Sequence, residues 1–333
     1  MADNKNQHLI DVVITWVDGN DPLLAAKRQQ FLKEDVASDA KLATRFASND
    51  EIYFAIASVL KYLPDCGKIY VVTDQQQPAF LSAFASEGIC SAGKIEVIDH
   101  TVLFQGYTDY LPVFNSLSIE TMLWNIPNLS NQFIYLNDDV FLNAPVRAED
   151  CFVDDKVVIY GHWKSNLLLK TKYLFRKFLN RTFGKVLQPR FTIAQMLSAD
   201  LVGLNQHYEL DHRPHFVQVD ILRHYFKHNQ DLLNKQIGFK FRDFNQFLPV
   251  GLLNHLSIQQ NRAVLKDDIP VAYIKPHDDL NPFLDALENP DIQYGCIQSL
   301  DEMCLQNQNM IREKMIEKLS DVLPSAIKQR VTQ

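Results

Sequence analysis

The chain has 333 residues, which is enough for one large domain or two modest ones. Apolar residues make up 47% of it and charged residues 22%, so the composition is globular and excludes a disordered chain. The net charge of −7 and the pI near 5.8 argue against a general nucleic-acid binder, which needs a basic surface.

The cysteines and the first residues predict the compartment. Five cysteines are scattered without a CxxC pair, which favours reduced thiols in the cytosol over a disulfide framework or a zinc site. The opening MADNKNQHLIDVV lacks the apolar core of a signal peptide, and no run of about 18 apolar residues predicts a membrane span. We therefore expect a cytoplasmic protein, which could still rest on the inner face of the cell membrane.

The first 150 residues alternate between strand and helix patterns. Buried strands are indicated by short runs of β-branched and aromatic residues, and helices by apolar spacing of three and four behind capping residues. In chain order we predict strand Leu9–Val17, helices Pro22–Glu34 and Glu51–Tyr62, strand Lys68–Thr73, helix Pro78–Ala85, strand Lys94–Ile98, helix Asn115–Trp124 and strand Phe133–Leu136. This alternation predicts an α/β fold with a mostly parallel sheet flanked by helices.

Acidic residues follow each predicted strand. They are Asp18, Asp74, Asp99 and the pair Asp138 and Asp139. In a parallel sheet these positions share one rim, where ligands of open α/β sheets bind. Each acid alone also fits a helix cap or a turn.

The stretch Phe133–Leu142, FIYLNDDVFL, carries the sharpest signal. Adjacent carboxylates at the end of a buried strand are costly unless a cation compensates them, and Mg²⁺ prefers carboxylate and phosphate oxygens. We therefore predict that Asp138 and Asp139 hold Mg²⁺, or Mn²⁺, on a diphosphate. The competing interpretation is a plain Asn-Asp-Asp turn between two strands.

After residue 150 the regular alternation of strand and helix patterns ends. Val157–Tyr160 and Val271–Lys275 read as strands, and Ile297–Leu323 has a long helical pattern. Leu167–Gly184 is an amphipathic basic segment, with cations at Lys170, Lys172, Arg176, Lys177 and Arg181, and Lys185 just beyond. It predicts either a solvated helix face or a docking surface for an anionic polymer or lipid headgroups.

Two residues of the second half suggest chemistry. His212 lies in the stretch Asp211–His215, which Pro214 stiffens, and its imidazole can serve as a general base near neutral pH. Arg242 lies in the apolar stretch FKFRDFNQF, where a partly buried guanidinium suits a phosphate. The alternative for Arg242 is a salt bridge to Asp243 or another carboxylate.

Several stretches together resemble the Stealth family of sugar-phosphate transferases. Ile10–Pro22, IDVVITWVDGNDP, is similar to the opening block of the family, and Arg45–Leu142 is similar to its second block. The matching pieces of that block are NDEI, KIYVVTD, Gln76 with Pro78, Asp99-His100, LPVFNSLSIE, IPNLS and FIYLNDDVFL. His212-x-Pro214 with Arg242 resembles the third block, and Tyr273–Asp279 loosely resembles the fourth. The chain departs from the family pattern at Tyr53, Ala57 and His277.

The resemblance implies an enzyme that moves a hexose-1-phosphate from a nucleotide sugar, most often UDP-GlcNAc, to a glycan hydroxyl in capsule or other polysaccharide synthesis. A phosphodiester forms and UMP leaves. The catalytic residues would be Asp138, Asp139, His212 and Arg242. Residues expected to line the donor pocket are Asp18, Glu51, Gln76, Asn115, Asn137 and Asp278.

The implied architecture is a Rossmann-like α/β core of the GT-A type with helical additions in the C-terminal half. We divide it into the first half of the core (1–150), a mainly helical insertion (151–235), a return to the core (236–290) and a C-terminal helix (291–333). The expected partners are a nucleotide-sugar donor and a glycan acceptor, but no nucleic acid. A homodimer and an association with the inner membrane or a capsule-assembly system stay open.

Two other functions also remain open. One is a metal-dependent glycosyltransferase that attacks the sugar carbon and releases UDP. The other is a non-catalytic glycan-binding subunit, which the concentration of acids at strand ends disfavours.

Overall fold

A five-stranded sheet lies at the centre of the computed structural model, which describes residues 9–33 and 36–332. The strands of this part of the chain are β1 (Ile10–Thr15), β2 (Cys66–Thr73), β3 (Ile95–Asp99), β4 (Gln132–Asn137), β5 (Val140–Leu142), β6 (Phe152–Val153), β7 (Lys156–Tyr160), β8 (His162–Ser165), β9 (Gln206–Glu209), β10 (His215–Gln218), β11 (Ala263–Lys266), β12 (Ala272–Ile274) and β13 (Tyr294–Ile297). The helices are α1 (Pro22–Gln29), α2 (Glu51–Tyr62), α3 (Ala83–Ser86), α4 (His100–Leu103), α5 (Ser116–Met122), α6 (Ala148–Cys151), α7 (Leu167–Phe183), α8 (Phe191–Leu201), α9 (Val219–His228), α10 (Gln230–Ile237), α11 (Pro249–Gln259), α12 (Leu280–Glu288), α13 (Leu305–Leu319) and α14 (Ser325–Lys328).

The central sheet has the strand order β10-β4-β1-β2-β3. The first four strands in the sequence run parallel, and β10 pairs antiparallel with β4 at the edge. The predicted mostly parallel α/β sheet is therefore confirmed. Because β2 and β4 lie on opposite sides of β1, the strand order reverses there, and a crevice opens beyond the carboxyl ends of β1 and β4.

The sheet is covered on both faces, which explains its near-continuous apolar strands. Alternate residues of β1 enter different cores: Val12 and Ile14 pack on the side of α2, whereas Val13 packs on the other side with Tyr135. The helix α2 has the predicted bounds, and nine of its twelve residues are buried. It packs against β5 as well as the central sheet.

The chain leaves the central sheet at Asp138 and Asp139. The next strand, β5, joins a second sheet in the order β12-β13-β5 and pairs antiparallel with β13. The Ile297 N–H donates to the Asp139 carbonyl at 2.9 Å, so β13 fixes the turn from behind. Gly295 is required in β13, because an added Cβ would collide with the ring of Phe141.

Three of the predicted helices have different bounds in the structure. In place of Pro78–Ala85, only Ala83–Ser86 is helical, and the Phe80 N–H donates to the Tyr53 hydroxyl at 3.1 Å instead of joining a helix. The pattern over Ile297–Leu323 contains α13, but its predicted start is wrong because Tyr294–Ile297 pairs as β13. Helix Pro22–Glu34 ends at Gln29, and Glu34 lies outside the described residues.

Two of the predicted segments contribute strands to sheets that the prediction did not assign to them. Residues 151–235 contain helices, as expected, but they contribute β10 to the central sheet and so are not an insertion outside it. Residues 291–333 contribute β13 as well as a helix, because the buried run Tyr294–Ile297 pairs with β5. The strands predicted at Val157–Tyr160 and Val271–Lys275 are confirmed as β7 and β12. Within the ranges described above, no helix is both long and apolar enough to cross a membrane.

Candidate active site

A cavity of about 620 Å³ opens beyond the carboxyl ends of β1 and β4. This is the crevice in which open α/β sheets bind ligands, and its size suits a nucleotide-sized molecule. The predicted site residues that line it are Glu51, Asn115, Asn137, Asp138, Asp139, His212 and Arg242. Residues from both halves of the chain therefore meet in one site.

Asp138 and Asp139 occupy the turn between β4 and β5. Burial raises the pKa of Asp138 well above its ordinary range, and the charges of Asp139 and Glu51 raise it further. Burial likewise raises the pKa of Asp139, while His212 acts in the opposite direction. The turn between two strands is therefore present, and it concentrates negative charge at the cavity wall. That the pair holds a cation stays a prediction.

The carboxylate pair fits a divalent cation that is shared with a substrate. Within residues 9–33 and 36–332, no group of three or more His, Cys, Asp or Glu side chains forms a metal-binding cluster. Mg²⁺ commonly uses one or two carboxylates and takes its remaining ligands from water and substrate phosphates. The donor set of Asp138 and Asp139 fits Mg²⁺ or Mn²⁺ held in this way, and does not fit a closed structural metal site.

Asn137 is oriented by the strands on which the site is built. Its Oδ1 accepts hydrogen bonds from the Tyr135 hydroxyl at 2.7 Å and from the Thr15 hydroxyl at 3.3 Å. Glu51 begins α2 and accepts a hydrogen bond from the Asn49 N–H at 2.5 Å. Burial raises the pKa of Glu51 to about 7, although this and other backbone hydrogen bonds lower it.

Arg242 reaches the cavity from the loop between α10 and α11. Its Nη2 donates to the Ser116 hydroxyl at 2.6 Å, at the start of α5. Asn115 holds the same loop, because its amide donates to the Phe241 carbonyl at 3.1 Å and to Gln246 Oε1 at 2.6 Å. The Asn115 side chain is buried and is used in these internal bonds, so it positions the loop that carries Arg242.

His212 lies between two aromatic rings. Its ring is 5.5 Å from Phe191 and 5.7 Å from Tyr273, and it is nearly parallel to both. This stack fixes the plane of the imidazole at the cavity wall. His212 is also close enough to lower the pKa of the Asp139 carboxyl.

Three predicted donor-binding residues do not line the cavity. Gln76 donates from its amide to the Asp18 carbonyl at 2.8 Å and to Asp21 Oδ2 at 3.0 Å, which locks the loop after β1. The Asp18 carboxylate accepts from the Asn20 N–H, and the Asp278 carboxylate accepts from the Lys275 N–H. The geometry therefore disfavours direct contact between these three residues and a ligand in the cavity, because their polar groups form hydrogen bonds within loops and turns.

The expected acidic rim is also only partly present. Asp74 lines the cavity but forms a salt bridge with Lys27 at 2.7 Å. Asp99 caps α4 through the Thr101 N–H and does not line the cavity. The simple cap or turn interpretation is therefore correct for Asp18 and Asp99.

Glu120 and Arg213 also line the cavity, although neither is among the predicted site residues. Burial raises the pKa of Glu120 to about 7, while the neighbouring Arg242 guanidinium lowers it. Arg213 is buried and pairs with the carboxylates of Asp211 and Asp268. Glu120 is the last residue of the LPVFNSLSIE stretch, and Arg213 directly follows His212. Their positions in these two motifs are the sequence signal that could have identified them.

Two regions of the chain match models of one family. Residues 10–35 match "Stealth protein CR1, conserved region 1", and residues 45–159 match "Stealth protein CR2, conserved region 2". The second of these ranges contains Asp138 and Asp139. The chain belongs to the Stealth family. The resemblance at His212, Arg242 and Tyr273–Asp279 lies outside the matched ranges and stays a prediction.

Relatives of this Stealth protein include bacterial polysaccharide phosphotransferases. A capsular polysaccharide phosphotransferase of Actinobacillus pleuropneumoniae is 44% identical over 146 residues, which cover 43% of this chain and 38% of that protein. A capsular polysaccharide phosphotransferase of Aeromonas hydrophila is 33% identical over 207 residues, which cover 61% of this chain and 51% of that protein. The chain thus spans about half or less of the length of these relatives.

The fold of the Stealth chain is similar to that of WbbM, described as a bifunctional glycosyltransferase in its apo structure. The TM-score is 0.50 with 9% sequence identity, and the match covers 98% of this chain and 51% of that one. At this identity the likeness concerns the fold alone. It agrees with the predicted GT-A-like core.

The raised pKa of Glu120 predicts a pH-dependent stability. Because this pKa is about 7 in the folded chain and lower in the unfolded chain, its contribution is present in full below about pH 4.5 and is lost as the pH rises through 7. Glu120→Gln, which cannot ionise, should therefore match the wild type near pH 5 and exceed it at pH 8, by at most about 3 kcal/mol. Urea unfolding at both pH values measures this.

The exposed Glu149 provides a matched control, since Glu149→Gln should leave the difference between the two pH values unchanged. If Glu120→Gln and the wild type lose the same stability between pH 5 and 8, the raised pKa of Glu120 is wrong.

Proposed function

We propose that this Stealth protein transfers a sugar-1-phosphate from a nucleotide sugar to a glycan hydroxyl in polysaccharide synthesis. The names of the relatives support the reaction class, since they are capsular and exopolysaccharide phosphotransferases. The observation that carries the proposal is that one cavity contains both the Asp138–Asp139 carboxylates and the Arg242 guanidinium. A diphosphate is commonly bound by a divalent metal ion and by a cationic side chain that donates hydrogen bonds. This cavity offers carboxylates for the metal ion and a guanidinium as the side chain.

The proposed reaction is a displacement at phosphorus. The acceptor oxygen bonds to the phosphorus that carries the sugar, and the bond from this phosphorus to the bridging oxygen breaks. The bridging oxygen leaves with the nucleoside monophosphate, and the sugar-1-phosphate becomes a phosphodiester. Such transfers depend mainly on in-line positioning and on the neutralisation of oxygen charge.

Asp138 and Asp139 would hold Mg²⁺ or Mn²⁺ on the donor diphosphate. When bound, the cation would neutralise charge on the phosphate oxygens. The two carboxylates are suited to this role because burial disfavours the charged form of each, and the charge of Asp139 further disfavours that of Asp138. Glu51 adds negative charge beside them.

Arg242 would bind a phosphate oxygen and stabilise the charge that develops on it. A guanidinium presents a planar fork of donors, and the bond to the Ser116 hydroxyl fixes its orientation. Asn115 holds the loop and Glu120 lies beside the guanidinium. These three residues therefore act through Arg242 as positioning residues.

His212 would accept the proton of the acceptor hydroxyl. A neutral imidazole can take this proton near pH 7, and the stack between Phe191 and Tyr273 fixes the ring. Asn137 and Glu51 would line the donor site beside the carboxylate pair. For Asp18, Gln76 and Asp278 we propose an indirect part, through the turns that they hold.

The donor is proposed to be UDP-GlcNAc, which predicts UMP as the nucleotide product. Purified protein with Mg²⁺, UDP-GlcNAc and a panel of bacterial glycans should release UMP and form a phosphodiester signal in the ³¹P spectrum. EDTA should stop the release, and Asp139→Asn should reduce it. UDP as the product would instead mean attack at the sugar carbon, and the phosphotransferase proposal would then be wrong.

Loss of Arg242 should slow turnover strongly. Arg242→Ala should lower kcat by about 10²–10³, the usual effect of removing one charge-stabilising donor. Arg242→Lys should remain impaired, because an ammonium lacks the planar fork. The exposed Arg147 supplies the control Arg147→Gln, which should have normal kcat. Near-full turnover by a folded Arg242→Ala variant would remove this residue from the mechanism.

The role of His212 can be separated from its packing. His212→Phe keeps a flat ring between Phe191 and Tyr273 but removes the basic nitrogen. Its kcat should fall by about 10²–10⁴ with little change in the KM of the donor. The same change at His228, an exposed residue of α9, should have no effect. Normal kcat in His212→Phe would assign the base to another group.

A further inference from the structure

The helix α7 presents a stripe of large apolar side chains to solvent. None of its seventeen residues, all of which the structure describes, is fully buried. With about 3.6 residues per turn, five apolar residues fall within an arc of about 120°. They are Leu167, Leu168, Leu174, Phe175 and Phe178, each between 57% and 73% exposed. Soluble surfaces rarely leave such a contiguous stripe open.

Cations border this stripe on both edges. On the helical wheel, Lys170, Lys177 and Arg181 lie along one edge and Lys172 lies along the other. Lys170 pairs with Asp200 on α8, and Lys177 lies over the ring of Tyr173. An apolar stripe between cationic edges is the arrangement of helices that lie in a membrane interface.

The charge around α7 differs from that of the rest of the chain. Residues 157–199 contain eight lysines and arginines but no aspartate or glutamate, although the whole chain has a net charge of −7. This local basic segment complements an anionic surface. It disfavours a symmetric contact between two copies, because that contact would bring the two α7 helices and their cations together.

The opposite face of α7 is anchored to the protein. Leu169 and Tyr173 pack on a small core that includes Phe244, and the rings of Tyr173 and Phe244 stack at 5.1 Å. The Tyr173 hydroxyl bonds to Asn245 Oδ1 at 3.1 Å. The outward direction of the stripe is therefore fixed by packing.

We propose that α7 docks this protein on an anionic phospholipid bilayer. The apolar stripe would enter the boundary between headgroups and acyl chains, and the flanking lysines and arginines would contact lipid phosphates. Phe244 lines the cavity and also belongs to the small core on which α7 packs. Docking of α7 would therefore hold the cavity near the bilayer. Binding through α7 does not require the chemistry of the cavity, so the vesicle test and the product assay can fail separately.

Co-sedimentation of the full chain with vesicles tests the proposal. The protein should sediment with vesicles of phosphatidylcholine mixed with phosphatidylglycerol, and much less with phosphatidylcholine alone. High salt should weaken this binding, because it screens the attraction of exposed charges. Phe175→Ser with Phe178→Ser should reduce the partition coefficient tenfold or more, since both side chains are exposed and their loss should not disturb the fold.

Lys172→Gln with Arg181→Gln should weaken binding by about fivefold for each cation, or about 1 kcal/mol each. Leu305→Ser with Arg147→Gln is the matched control, because it removes an exposed apolar residue and an exposed cation from other elements. This control should bind vesicles like the wild type.

Several outcomes would overturn the proposal. One is equal binding to both kinds of vesicle, and another is unchanged binding by both α7 variants. A third is the absence of vesicle binding together with a dimer that dissociates in Phe175→Ser/Phe178→Ser, as measured by light scattering. That result would assign the stripe to a second copy of the chain.

Discussion

The site depends on two adjacent, half-buried carboxylates at the end of β4. Asp138 and Asp139 face the cavity, and burial and neighbouring negative charge raise the pKa of Asp138. The surrounding elements hold these two carboxylates in place and do not neutralise their charge. The strand β13 bonds to the Asp139 carbonyl, and α2 brings Glu51 close. A cation bound with a phosphate ligand is the chemical complement of this arrangement.

The opposite charge in the cavity is assembled from distant parts of the chain. Arg242 lies about a hundred residues beyond the carboxylates, yet the start of α5 fixes its loop through Asn115 and Ser116. His212 comes from the segment just before β10, which completes the central sheet beside β4. The two matched family regions contain the acids, whereas both of these basic residues come from the remaining half of the chain.

The other acids at strand ends illustrate the limit of reasoning from position. They lie at or just beyond the ends of β1, β2 and β3, as predicted, but Asp74 is neutralised by Lys27 and Asp99 caps a short helix. Gln76 uses its amide to lock a loop. A carboxylate at a strand end becomes a ligand candidate only when no local donor compensates it, and that depends on side chains far away in the sequence.

The sequence by itself determined the parallel sheet, the bounds of α2, the Asp138–Asp139 position and the family, because local periodicity and contiguous motifs carry these features. It also revealed the basic amphipathic character of α7. The tertiary structure alone decided that Tyr294–Ile297 is a strand, that β10 joins the central sheet, and that Glu120 stands beside Arg242. These features depend on pairing and burial between segments far apart in the chain, and such contacts leave no periodic signal within either segment.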